Sequence, residues 1–128
     1  MDINLPLSEL ETYISKASGR PVQVKGTGKN QVEVHYIASV NLTLIETRPQ
    51  GAVFGYSTNP IVGMMIKGMK GKIREQLAAH PYLCWDEDKE QIIVDLSQLP
   101  AAKHLLAHAE ISSLSFEDGK ALIGIKPV

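Results

Sequence analysis

Val32-Glu33-Val34-His35-Tyr36-Ile37-Ala38-Ser39-Val40-Asn41-Leu42-Thr43-Leu44 is the stretch on which the fold turns. Every even position in it is apolar or aromatic. The odd positions Glu33, His35, Ser39, Asn41 and Thr43 are polar, with Ile37, and Ile45 just beyond, as exceptions. Alternation of period two in a single phase describes a strand with one face toward a core. No Gly, Pro or Asn-Gly interrupts the pattern before Pro49 and Gly51, and a hairpin near Ser39 ordinarily needs such residues or a change of phase. The pattern therefore predicts one strand over about 31–46. Its alternating core of roughly 14 residues spans about 45 Å at about 3.3 Å per residue, where a strand usually has about 5–6 residues. In a chain of 128 residues so long a strand must coil, and a strongly curved antiparallel sheet wrapped around a helix is expected.

The helix to be wrapped is predicted at about 60–79. Asn59-Pro60 supplies an N-cap and a proline at the first helical position, and His80-Pro81 stops it. On a helical wheel Val62, Met65, Ile66, Met69, Ile73 and Leu77 fill an arc of about 120°. Lys67, Lys70 and Arg74 form a basic stripe beside that arc. Gly63, Gly68 and Gly71 each lower helix propensity by about 1 kcal/mol relative to alanine, and their presence predicts close backbone approach to a neighbour.

The remaining elements are short. Ser8-Glu9-Leu10-Glu11 reads as a capping box opening a helix over about 8–17, which Gly19 ends. Residues 21–25 form a strand, and Gly26 to Asn30 a turn. Arg48 to Gly51 turns the chain into a return strand over 52–57. Hairpins are predicted for 82–85 with 91–95, and for 111–116 with 121–126, the second around Glu117-Asp118-Gly119. A second short helix occupies about 100–109, with Leu105 and Leu106 inward. The fold class is α+β in one domain.

Composition narrows the function. A net charge of −1 and few aromatic residues oppose nucleic-acid binding. The single cysteine, Cys84, excludes an internal disulfide and suits a reducing compartment. The opening Met1-Asp2-Ile3-Asn4-Leu5-Pro6 lacks a basic stretch followed by an apolar one, so the expected address is cytoplasmic.

Each candidate motif fails at a named residue. Gly26-Thr27-Gly28-Lys29-Asn30 has Asn30 where a phosphate loop needs a hydroxyl, and a strand follows where a helix is needed. Asp86, Asp88 and Glu90 resemble the start of a calcium loop, but Gln91 and Ser97 occupy the positions of its glycine and its closing glutamate. His104 and His108 lie one helical turn apart with Leu105 where a zinc protease has glutamate. Cys84 sits among apolar residues and reads as a buried, inert thiol. No catalytic residue and no cofactor or metal is expected.

Ile93-Val94-Asp95-Leu96-Ser97-Gln98-Leu99-Pro100 and Ile111-Ser112-Ser113-Leu114-Ser115-Phe116-Glu117-Asp118-Gly119 resemble the endings of small tubular lipid-binding (TULIP/SMP-like) bacterial proteins. That resemblance implies a curved sheet around a long helix with an apolar groove between them. The expected function is a non-enzymatic module holding a lipid or other apolar ligand against Val34, Tyr36, Val40, Leu42, Val62, Met65, Ile66 and Met69. Lys67, Lys70, Lys72 and Arg74 are candidates for contact with phosphates of a membrane surface. The alternative is a filled-core assembly module acting as a homodimer or on a protein partner.

Overall fold

A computed structural model of the chain describes residues 2–35, 39–98 and 100–128, with 17, 18 and 100–102 described by their backbone alone. The decisive stretch is a hairpin. Strand β3 (Gln31–His35) and strand β4 (Ser39–Arg48) run antiparallel, with Val34 opposite Val40 and His35 opposite Ser39. The single long strand expected over 31–46 is therefore broken after His35. The reason it looked continuous is parity. Residues paired across an antiparallel ladder share a face, and a three-residue connection, 36–38, leaves even positions opposite even positions. The apolar phase passes across a connection of that length unchanged. Ile45, the exception at the far end, is the extra residue of a β-bulge between the Leu44–Phe54 and Glu46–Val53 pairs, and it is exposed.

The helix expected over 60–79 is also divided. Helix α2 (Pro60–Gly68) and helix α3 (Lys70–Ala78) meet at Met69, whose φ of −104° and ψ of 14° depart from helical values. Asn59 caps α2 as predicted, its Oδ1 accepting from the Val62 amide at 2.8 Å. No residue of α2 or α3 is buried, so no strongly curved sheet wraps a long helix. The tubular architecture implied by the resemblance is not the one this chain adopts.

In chain order the other elements are β1 (Asp2–Pro6), α1 (Leu7–Ser18), β2 (Gln23–Gly28), β5 (Gly51–Ser57), β6 (Leu83–Asp86), β7 (Gln91–Asp95), a 3-10 turn (Leu96–Gln98), α4 (Pro100–Leu106), β8 (Ala109–Glu117) and β9 (Lys120–Pro127). They form two antiparallel sheets, one ordered β1-β9-β8 and the other β2-β3-β4-β5-β7-β6. The expected helix over 100–109 stops at Leu106, because Ala109 already belongs to β8. Helix α1 lacks the predicted capping box: Pro6 stands at its N-cap, and Glu11 instead accepts the Val24 amide, tying α1 to β2. Gly19 ends the helix in the left-handed region at φ 75°. Asp118 and Gly119, at φ 53° and 72°, make the predicted turn between β8 and β9.

One face of the six-stranded sheet carries the apolar residues in rows. Val24, Val34 and Val40 align across β2–β4, and Val32, Leu42 and Tyr56 across β3–β5. Leu44, Phe54, Ile92 and Trp85 align across β4, β5, β7 and β6. The β2–β4 end of this face packs under α1 and the smaller sheet, where Leu7, Val22, Val24, Val32, Phe116 and Ala121 are buried together. Phe54 and Phe116 meet there with ring centroids 5.9 Å apart and planes tilted by 55°, a favourable aromatic geometry. Asn30, at φ 59°, locks the two sheets: its amide donates to the Phe116 carbonyl at 2.7 Å, and its Oδ1 accepts the Phe116 amide at 2.9 Å. The β5–β7–β6 end of the face is left to α2 and α3.

Candidate functional site: an apolar groove between the helix pair and the sheet

The α2–α3 segment covers its end of the sheet incompletely, and a groove of about 270 Å³ remains. Val40, Tyr56, Trp85 and Ile92 form its floor; Met65, Ile66, Met69, Ile73, Gln76 and Leu77 form its wall. The polar tips of its two aromatic side chains satisfy each other, since Trp85 Nε1 donates to the Tyr56 hydroxyl at 2.9 Å. Only Gln76 adds a polar side chain to the wall. Such a lining solvates apolar matter and little else.

Of the residues predicted to line a groove, Val40, Met65, Ile66 and Met69 come together here. Val34 and Leu42 pack against the main core instead, because they lie nearer the part of the face that α1 and the smaller sheet cover. Val62, on the first turn of α2, is half-buried but outside the lining. Tyr36 falls outside the described residues. Sequence reasoning missed Tyr56, Gln76, Trp85 and Ile92, and it placed Ile73 and Leu77 on the apolar arc without giving them to the groove. Extending the arc one turn past Met69 would have found those two. Trp85 and Ile92 carry no such signal, because the pairing of β7 with β5 brings them in.

Ion pairs join α3 to the β6–β7 hairpin at the sheet edge. Glu87, at the tip of the β6–β7 hairpin, receives Lys70 Nζ and Arg74 Nη2, each at 2.9 Å. Hydrogen bonds from Lys70 and then Arg74 lower the Glu87 pKa. The Arg74 guanidinium also lies 5.2 Å from the centroid of the Trp85 ring. Two of the four predicted phosphate contacts are thus engaged within the protein, whereas Lys67 and Lys72 are exposed. Beside the hairpin, burial raises the Tyr82 pKa, with a smaller contribution from Tyr13.

The expectation that the helical glycines permit close backbone approach is not met. A Cβ at Gly68 or Gly71 would meet nothing within 4 Å, and one at Gly63 would reach only Thr58 Oγ1, at 3.3 Å. Gly71→Ala is therefore expected to stabilise the fold by about 0.5–1 kcal/mol, through helix propensity and a less flexible unfolded chain. Urea unfolding followed by far-UV circular dichroism checks this; a lower midpoint would contradict it.

Other candidates do not assemble into a site. Cys84, expected to be buried, is exposed on the edge strand β6. The Asp86 carboxylate caps its own turn by accepting the Lys89 amide. Among the described residues no three His, Cys, Asp or Glu side chains are grouped to hold a metal, and no helix is long and apolar enough to cross a membrane. A larger hollow, about 420 Å³, lies where the β4–β5 turn meets β7 and is lined by residues 48–51 and 93–95. Several of its polar groups are occupied: the Pro49 and Gln50 carbonyls accept the Ile111 and Leu96 amides, and Asp95 accepts from Ser97. The smaller groove, apolar and lined from both the helix pair and the sheet, is the better candidate for binding. Comparison with protein families, with curated proteins and with solved structures finds no match to this chain.

Proposed function

We propose that this protein is a non-enzymatic binding module that holds one slender apolar chain in the groove between α2–α3 and the sheet. The observation that carries the reading is a continuous apolar lining contributed from both sides. Its volume, about 270 Å³, supports a small occupant. An apolar cavity of about 150 Å³ accommodates benzene, so in proportion about ten to twelve heavy atoms fit. That is one medium-length alkyl chain and not the paired acyl chains of a phospholipid. Burying ten methylenes yields about 8 kcal/mol of gross transfer energy, from which association subtracts about 4 kcal/mol or more. The remainder, about 4 kcal/mol, corresponds to a dissociation constant of about a millimolar.

Trp85, the only tryptophan, lies in the floor and reports occupancy. Titration with 1-decanol is expected to shift its fluorescence in a dose-dependent way, and native mass spectrometry to show a single adduct. Ile73→Asp, which places a carboxylate in the wall, is expected to weaken binding at least tenfold. A clean apo mass with no change in Trp85 emission would overturn the proposal. So would a concentration-dependent dimer that shields Trp85, which would favour the assembly reading.

A further inference from the structure

Ile61, Met64 and Met65 on α2 are 80%, 75% and 38% exposed, three of the large apolar side chains that the described surface leaves in water. At about 100° per residue they fall within one third of the helix circumference. The chain around them is strongly biased in charge. From Gly51 to Arg74 it has no Asp or Glu, while Lys67, Lys70, Lys72 and Arg74 contribute four positive charges. Glu87 engages Lys70 and Arg74, and Lys67, on α2 itself, and Lys72, near the start of α3, remain exposed.

Three kinds of surface meet such a face differently. A second copy of this chain, docking face to face about a two-fold axis, sets the lysines against their own images. An acidic protein surface matches the lysines but leaves Ile61 and Met64 against charge. The boundary of an anionic bilayer satisfies both, taking apolar side chains below the headgroups and lysines among the phosphates. We propose that the exposed face of α2, with Ile61, Met64 and Met65 inserted and Lys67 and Lys72 at its flank, docks this protein on an anionic membrane surface. Met65 belongs to both this face and the groove wall, so docking sets the groove beside the lipid. The docking itself does not depend on the groove holding a ligand.

Co-sedimentation of the full chain with vesicles tests this. Binding is expected to phosphatidylcholine vesicles containing about one-third phosphatidylglycerol, to weaken as salt screens the lysines, and to be absent with phosphatidylcholine alone. The double variant Ile61→Ser/Met64→Ser is expected to lose binding while keeping its circular dichroism and its Trp85 response to decanol. Lys67→Gln/Lys72→Gln is expected to weaken partitioning about 25-fold, at about fivefold per lysine. Ile73→Asp, which blocks the groove, is expected to leave vesicle binding unchanged. The proposal is overturned if the wild-type chain ignores anionic vesicles, binds neutral ones equally, or binds undiminished as the serine variant. It is also overturned if Ile73→Asp abolishes docking, or if the α2 face proves to be buried in a dimer.

Discussion

Asn30→Ala is expected to lower folding stability by about 3 kcal/mol, and Asn30→Gly by about half as much. Two separable effects add in the alanine variant. The left-handed conformation at φ 59° costs a residue with a Cβ about 1–2 kcal/mol, a penalty asparagine offsets in part by local hydrogen bonding and glycine avoids. Losing Oδ1 strands the Phe116 amide, which it accepts at 2.9 Å in the seam between the sheets, and an unpartnered amide there costs about 1–3 kcal/mol. The backbone bonds Asn30 amide to Phe116 carbonyl and Leu44 amide to Asn30 carbonyl survive only if the turn keeps its shape, so alanine endangers these too. Urea denaturation followed by Trp85 fluorescence gives the ranking: wild type, then glycine, then alanine. Equal stability of the glycine and alanine variants would show that backbone conformation contributes nothing at this position.

Gly51→Ala is expected to cost about 3 kcal/mol, opposite in sign to Gly71→Ala. Gly51 starts β5, pairs with Arg48 across the turn and with Asp95 of β7, and is not among the described glycines with positive φ. The requirement is space. A Cβ there would overlap the Val94 carbonyl oxygen, with Asp95 Cα close behind. These are backbone atoms of a paired strand and cannot rotate aside as a side chain does, which places the substitution at the upper end of overpacking penalties. The consequence extends to the groove, because β7 carries Ile92 and pairs with β6, which carries Trp85. A red-shifted Trp85 emission and weaker decanol binding are therefore expected together with the lowered urea midpoint. An unchanged midpoint would show that β5 and β7 separate at little cost.

Local signals in the chain were read well where the chemistry is local. Asn59-Pro60 opens α2, Asp118-Gly119 turns β8 into β9, Gly19 ends α1, and the β6–β7 hairpin forms around the acidic turn 86–89 as expected. The errors have physical causes that no closer reading of the same patterns removes. Strand β1 is half apolar and lies against β9, a partner more than a hundred residues away. Glu11 has the spacing of a capping residue, yet its carboxylate serves Val24, because β2 brings an unpaired amide within reach. Gly68 and Gly71 signal close approach in many helices; here they face open space and accompany the departure from helical geometry at Met69.

The alternation from Val32 to Leu44 by itself determined that residues 32–35 and 39–44 are extended and which of them point inward. It could not distinguish one long strand from two paired ones, since a three-residue connection preserves the parity of a ladder and thus the pattern. Only the tertiary structure decided that choice, and with it the fate of the inward face. Val34 and Leu42 went to the core beneath α1 and the smaller sheet; Val40 went to the groove beneath α2 and α3. Apolar burial has no direction. A sequence pattern therefore states that a face must be covered, and the strand order states which element covers it and how completely.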